Sequence, residues 1–361
     1  MRAAELFVRC LENEGVEYIF GIPGEENLDV MDALLDSPIR FVTVRHEQGA
    51  AFMADVYGRL TGKPGVCLAT LGPGATNLIT GVADADMDRA PVVAIAGQGS
   101  THRLHKESHQ ILDLVNLFEP ISKYATRIRE PEIIPEVVRK AFKVAKAEKP
   151  GCSFIDFPEN IAAEPVEGKT PLKVQEARAP WPPEEKIAQA AEVINGAKHP
   201  LVLAGNGVIR SRAAEALKEF ATTLNIPVAK TFMAKGAIPR SHPLSLGTAG
   251  LAANDYIACG FDRADVVIAV GYDIVEYHPH LWHRDPQQKI VHIDQLPAEV
   301  DEHYILEVGV VGDIGAGLRA IARHLTPRTE NWAGTLRHTI DRENAAHAED
   351  AGFPVKPQKI L

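Results

Sequence analysis

The residues with the clearest capacity for chemistry stand in the run Arg45-His46-Glu47. A short β-branched run, Phe41 to Val44, precedes them, and a segment rich in small residues, Gly49 to Asp55, follows. That context puts a carboxylate at a strand-to-helix junction, where unpaired backbone N–H groups and the helix dipole favour negative charge. A helix cap would by itself account for Glu47. A functional reading needs more chemistry at the same edge, and two other runs supply it: Gly21-Ile22-Pro23-Gly24 and Gly72-Pro73-Gly74-Ala75-Thr76-Asn77. Each follows a short apolar run, so all three fall at the C-terminal ends of strands, where open α/β sheets bind ligands.

The elements that must position these residues are readable from periodicity. Ala3, Leu6, Phe7, Cys10 and Leu11 recur at helical spacing, and Leu28, Met31, Leu34 and Leu35 do the same. Short, largely apolar runs at Val16–Phe20, Phe41–Val44, Val66–Thr70, Pro91–Ala96 and Cys152–Phe157 alternate with helical patterns, which indicates a mostly parallel sheet covered on both faces. The pattern repeats after a Pro-rich stretch, with strands at Leu201–Ala204, Ile226–Ala229, Val266–Val270 and Ile290–Ile293. The fold class is therefore α/β, with two doubly wound, mostly parallel-sheet domains joined by a Pro-rich linker. The expected boundaries are 1–165 for the first domain, 166–183 for the linker, 184–326 for the second domain and 327–361 for a polar tail.

Composition narrows the function classes. With 45% hydrophobic and 24% charged residues in 361, the chain reads as an ordinary globular protein, and a net charge of −10 argues against nucleic-acid binding. No uninterrupted apolar run is long enough to span a bilayer, and the N-terminus lacks a signal-peptide pattern. The four cysteines, Cys10, Cys67, Cys152 and Cys259, lie far apart in apolar segments and read as buried thiols of a cytoplasmic protein. Two histidine groups invite a metal reading: His102, His105 and His109, which could share one helical face, and His278, His280 and His283. Neither has a convincing set of further ligands, so no metal is assigned. Gly205-Asn206-Gly207 has the context of a dinucleotide turn, but Arg210 stands where the third glycine belongs, which favours a plain tight turn. There is no G-x-S-x-G elbow.

Taken together, the three glycine- and charge-bearing runs of the first domain resemble the pyrimidine-binding domain of the thiamine diphosphate-dependent acetolactate synthases and related decarboxylases. The resemblance continues through Lys63-Pro64-Gly65-Val66, His109-Gln110, Lys235-Gly236, His242-Pro243-Leu244, Ala269-Val270-Gly271-Tyr272-Asp273 and His292-Ile293-Asp294. It implies that Glu47 is the catalytic carboxylate that hydrogen-bonds the aminopyrimidine ring and promotes formation of the thiazolium ylid. It further implies that Pro73 and Asn77 line the pyrimidine pocket, and that Gly24 and Gln110 face the reacting carbon, Gly24 on the cofactor and Gln110 on the substrate. The plain alternatives are a turn proline, a helix-start amide, a turn glycine and a surface amide.

The second domain resembles that family's central domain, which holds FAD in the biosynthetic enzymes. Here Gly271-Tyr272-Asp273-Ile274-Val275-Glu276-Tyr277 replaces the Arg-Phe-Asp-Asp run of the flavin enzymes. This run and Leu104-His105-Lys106-Glu107-Ser108-His109-Gln110 are closer to the catabolic, flavin-independent type, so no FAD is expected. The Gly-Asp-Gly and paired-asparagine motifs that hold diphosphate and Mg2+ in the family do not occur in these residues. The resemblance implies an enzyme that decarboxylates pyruvate and joins the two-carbon unit to a second pyruvate, working as a homodimer or homotetramer. The expectation is that this chain is its N-terminal two-domain portion, inactive alone, with Lys359-Ile360-Leu361 leading toward a diphosphate-binding domain. Rival readings are another thiamine diphosphate-dependent 2-oxo acid decarboxylase or carboligase, a split-enzyme subunit, and a noncatalytic oligomerising protein.

Overall fold

The computed structural model describes residues 1–175, 177–250, 256–349 and 352–355. Two compact units divide the chain, Met1–Ala177 and Arg178–Leu361. In the first, Ala3–Asn13 (α1), Tyr18–Gly21 (β1), Leu28–Leu34 (α2), Arg40–Thr43 (β2), Glu47–Thr61 (α3), Gly65–Ala69 (β3), Pro73–Met87 (α4) and Val92–Gln98 (β4) alternate regularly. Leu114–Phe118 (α5), Tyr124–Arg127 (β5), Ile134–Lys146 (α6), Cys152–Pro158 (β6) and Glu159–Ala163 (α7) complete the unit. All strands pair in parallel in the order β2-β1-β3-β4-β6-β5. Strands β3, β4 and β6 are buried along their whole length, as their continuous apolar runs require of a sheet covered on both faces.

The second unit contains Glu184–Gly196 (α8), Pro200–Ala204 (β7), Asn206–Arg210 (α9), Ala214–Leu224 (α10), Val228–Lys230 (β8) and Ser245–Thr248 (β9). It continues with Ala258–Arg263 (α11), Val266–Val270 (β10), Lys289–Asp294 (β11), Val308–Val311 (β12), Ile314–Ala322 (α12) and Gly334–Glu349 (α13). Its strands are also parallel, in the order β12-β11-β10-β7-β8-β9. Both units are thus doubly wound α/β sheets, each with a point where the strand order reverses: between β1 and β3 in the first, and between β7 and β10 in the second.

Four features depart from the sequence-based expectations. Strands β5, β9 and β12 lie outside the expected set, and each is an edge strand, partly exposed throughout in β5 and buried over only part of its length in β9 and β12. Within 166–183 the two ends attach to different units. Val166 N donates to Met1 O and Leu172 O accepts from Asn13, whereas Pro180 O accepts from Asp313 N beside Gly312. Part of the expected tail is α13, seated by Trp332 Nε1 donating to Pro200 O at 2.9 Å and by buried Ala333 and Leu336. Cys259, expected inside, is exposed, while Cys10, Cys67 and Cys152 are buried; all four are free thiols. The expectation at Lys359-Ile360-Leu361 lies outside the described residues. Among the described residues, no helix is long and apolar enough to cross a membrane.

Candidate functional site

The reversal point of the first sheet is formed by the turns after β1 and β3, with α3 entering beside them. The N-cap of α3 is His46, whose Nδ1 accepts the Gln48 N–H at 3.2 Å. Capping duty therefore belongs to the histidine, and the Glu47 carboxylate is directed elsewhere. Glu47 is only 8% exposed, and its Oε2 accepts a hydrogen bond from Asn77 Nδ2 at 2.9 Å. A carboxylate taken this far from water demands hydrogen-bonding partners. Asn77 comes from the first turns of α4, a helix clamped to α3 farther along by Arg59. That guanidinium reaches Asp55 at 2.7 Å, Asp84 at 3.0 Å and Asp88 at 2.7 Å. Holding the two helices together fixes the Glu47–Asn77 separation.

Glycines keep the space around this carboxylate open. A Cβ on Gly74 would stand 2.9 Å from Thr70 Cγ2 and 3.5 Å from Glu47 Oε1. A Cβ on Gly24 would stand 2.5 Å from Thr70 Cβ, so the turn after β1 lies directly against the end of β3. Gly24 N donates to Asn27 Oδ1 at 2.9 Å, and Thr70 Oγ1 donates to Glu26 Oε2 at 2.7 Å, which stitches the two turns into one wall. Gly72 has φ +51° and ψ −120°, a conformation reserved for glycine, and it presses on Gln110: its Cβ would meet Gln110 O at 2.7 Å. Pro73, exposed, opens α4 at its first position.

The structure therefore brings Glu47, Asn77 and Gly74 together, sets Gly24 against Thr70 and lays Gln110 over Gly72. Gln110 itself is exposed, with φ +57°. The residues around it run through turns, so His102, His105 and His109 do not share a helical face as anticipated. That loop is anchored by Ser100 N and Arg103 Nη2 donating to Glu159 Oε1 at 2.9 and 2.7 Å, and by Thr101 N donating to Asn160 Oδ1 at 2.9 Å. Thr70, Glu26 and Asn27 belong to the wall without being singled out by the sequence. Thr70 had a signal, since it ends the strand that feeds the Gly72 turn.

The chemistry available is that of a buried carboxylate with one oxygen held by an amide, lining a cradle kept clear of side chains. Such a group can accept a hydrogen bond from, or share a proton with, a nitrogen of a flat ring. The residues present fit the pyrimidine end of thiamine diphosphate. Among the described residues, no group of three or more His, Cys, Asp or Glu side chains is arranged to hold a metal. His278 and His280 instead face each other, Nδ1 to Nδ1 at 2.7 Å.

At the reversal point of the second sheet, Gly205–Gly207 packs on Gly271, with Gly207 N donating to Gly271 O at 2.8 Å. The first N–H of α9, on Asn206, is the group that would greet a phosphate in a dinucleotide site. Here it donates to both carboxylate oxygens of Glu276, each at 3.0 Å, while Thr231 Oγ1 and Asp273 N donate to the same carboxylate. Burial raises the Glu276 carboxyl above the ordinary range against the pull of these bonds. In this structure the turn's first N–H is taken by the chain's own Glu276 carboxyl group.

Comparison with known proteins matches both units. Residues 1–117 match the family described as "Thiamine pyrophosphate enzyme, N-terminal TPP binding domain", and residues 187–321 match "Thiamine pyrophosphate enzyme, central domain". Among curated relatives, the "Probable acetolactate synthase large subunit" of Methanocaldococcus jannaschii is 36% identical over 373 residues, covering 100% of this chain and 63% of that protein. The "Acetolactate synthase" of Bacillus subtilis is 38% identical over 321 residues, 89% of this chain and 56% of that protein. The "Acetolactate synthase, catabolic" of Raoultella terrigena is 37% identical over 366 residues, 98% of this chain and 65% of that protein. The chain thus spans about three-fifths of the length of these relatives.

Proposed function

Because the chain belongs to the thiamine pyrophosphate enzymes, carrying their N-terminal TPP-binding and central domains, we propose that it serves an acetolactate synthase-type reaction. In this reading pyruvate loses CO2 and its two-carbon remainder is joined to a second pyruvate. The observation that carries the proposal is the Glu47 carboxylate, buried, relieved of capping by His46 and held by Asn77 beside a glycine-kept cradle. Thiamine diphosphate, when bound, supplies a carbanion at its thiazolium ring that can attack a 2-oxo acid.

The chain's own residues have narrower tasks. Glu47 holds or shares a proton at a pyrimidine ring nitrogen, and Asn77 fixes the rotamer of that carboxylate. Gly24, Gly74 and Pro73 shape the ring's seat, and Gln110, over Gly72, is the group offered toward substrate. Turnover also requires residues that hold the diphosphate and Mg2+, for which this sequence offers no Gly-Asp-Gly or paired-asparagine motif. The carboxylate of Glu276 at the Asn206 N–H favours a central unit without FAD. Self-association into a homodimer or homotetramer in the cytoplasm is part of the reading. It is supported by exposed Met53, Val56 and Leu60, which recur at helical spacing along α3.

The test is acetolactate formation from pyruvate, with thiamine diphosphate and Mg2+, by the protein that contains this chain. Glu47→Gln should lower turnover by about 10²–10⁴-fold with an unchanged unfolding midpoint. Undiminished turnover in the variant overturns the role of Glu47, and a wild-type protein that consumes no pyruvate overturns the reaction.

A further inference from the structure

The second unit contains a cavity of about 670 Å³ whose walls are the segment after β8, strand β9 and helix α13. None of its described lining residues belongs to the Gly205–Gly207 turn or to the groups that hydrogen-bond Glu276. Its volume is in the range of small-molecule sites. Ile238, Leu246 and Ile257, each buried, form an apolar wall, and Phe232 and Tyr256, 41% and 45% exposed, stand at the lining's wetter side.

Charge distinguishes this cavity from a packing fault. Lys230 lines it while only 5% exposed, and the one hydrogen bond of its ammonium group among the described residues is a long one, Nζ to Ser245 Oγ at 3.4 Å. Among the described residues no carboxylate pairs with it, and the charged groups that act on it are Arg240, Arg337 and Lys235, all cationic and all in the lining. Among the described lining residues Asp341 is the one carboxylate, and it is engaged by Arg337 Nε at 2.8 Å. Arg337 is further held by the carbonyls of Arg240 and His242, at 3.0 and 3.1 Å, which fixes α13 as a wall. A buried ammonium surrounded by like charge is costly unless an anion joins it. Burial, reinforced by those neighbours, lowers the Lys230 ammonium below the ordinary lysine range.

We propose that this cavity is a binding site for an amphipathic organic anion. Its carboxylate or phosphate head would meet Lys230, Ser245 and Arg240, and its apolar body would lie along Ile238, Leu246 and Ile257 toward Phe232 and Tyr256. The site is separate from the Glu47 cradle and does not depend on the reaction assigned there.

Calorimetric titration of the purified chain tests this with three probes of one shape: phenylacetate, phenyl phosphate and the uncharged phenylacetamide. Saturable binding of at least one of the two anions is expected, with the amide at least tenfold weaker, and the stronger head group identifies the natural ligand's anion. Lys230→Met should weaken the bound anion at least tenfold and, by removing an unpaired buried charge, should not lower the unfolding midpoint. Arg240→Ala, a change at an exposed side chain, should weaken it severalfold and serves as the second variant should Lys230→Met fail to fold. No saturation by either anion at millimolar concentration, equal binding of amide and anion, or affinity unchanged in both variants overturns the proposal.

Discussion

Asp156→Asn isolates the electrostatics of the first unit. Asp156 lies in β6, fully shielded from solvent, with Arg127 Nε donating to it at 2.6 Å. Burial outweighs the attraction of Arg127 and pushes the carboxyl up from 3.8 to about 6. At about 1.4 kcal/mol per pKa unit this corresponds to about 3 kcal/mol. The folded state holds the proton more tightly than the unfolded chain, so the contribution is fully present below 3.8 and is lost as pH rises through about 6. Asparagine has no such proton and Arg127 stays charged throughout; because the pull of Arg127 on the ionised carboxylate is already contained in the value of about 6, the rest of the substitution adds only a constant offset. The stability of wild type relative to Asp156→Asn should therefore fall by about 3 kcal/mol between about pH 3.5 and about pH 7.5. Urea unfolding separates the units, because the protein's 3 tryptophans, Trp181, Trp282 and Trp332, all lie in the second. Tryptophan fluorescence should give the same second-unit transition in both proteins at each pH, and far-UV circular dichroism should carry the difference. Wild-type and variant curves that run parallel across that pH range would refute the assignment.

Two further perturbations address the two reversal points. Gly72→Ala puts a Cβ 2.7 Å from Gln110 O on a backbone that only glycine adopts freely; it should cost the first unit about 1–3 kcal/mol, read as a lower urea midpoint, and a midpoint within error of wild type counts against the described turn. Glu276→Ala strands the N–H groups of Asn206 and Asp273 and the Thr231 hydroxyl; it should lower the tryptophan-detected midpoint by about 1–3 kcal/mol, while the wild-type protein is purified without stoichiometric flavin absorbance. A flavin-bearing wild type, or a variant as stable as wild type, contradicts the carboxylate's place in that turn.

How much of this was readable in the sequence follows from burial. Strands β3, β4, β6, β7 and β10 are covered along their length, so their residues form mostly apolar runs that announce them. At the sheet margins the chain is under no such constraint. Tyr124–Arg127 is partly exposed throughout, and Val308–Val311 is buried at alternate positions, so neither run is distinctive. Helix α13 was hidden for a related reason: Ala333, Leu336 and Ile340 are too few to stand out in a polar stretch, and their meaning depends on the second unit's surface.

The candidate site divides along the same line between local and non-local information. Glu47, Gly24, Pro73, Asn77 and Gln110 were singled out from short motifs, yet whether Glu47 was a cap or a functional carboxylate could not be read from its position, since both roles ask for an acid at a helix start. Two contacts bear on it: the local one, His46 Nδ1 to Gln48 N, supplies the cap, and the distant one, Asn77 Nδ2 to Glu47 Oε2 across 30 residues, gives the carboxylate another partner. The Lys230 cavity lies wholly on the non-local side. The Lys235-Gly236 run says nothing of a cavity, and only the assembly of three separated segments leaves the Lys230 ammonium buried beside Arg240, Arg337 and Lys235 with no carboxylate partner among the described residues. Motifs report a group's chemistry, but its task depends on which partners the fold assigns or withholds.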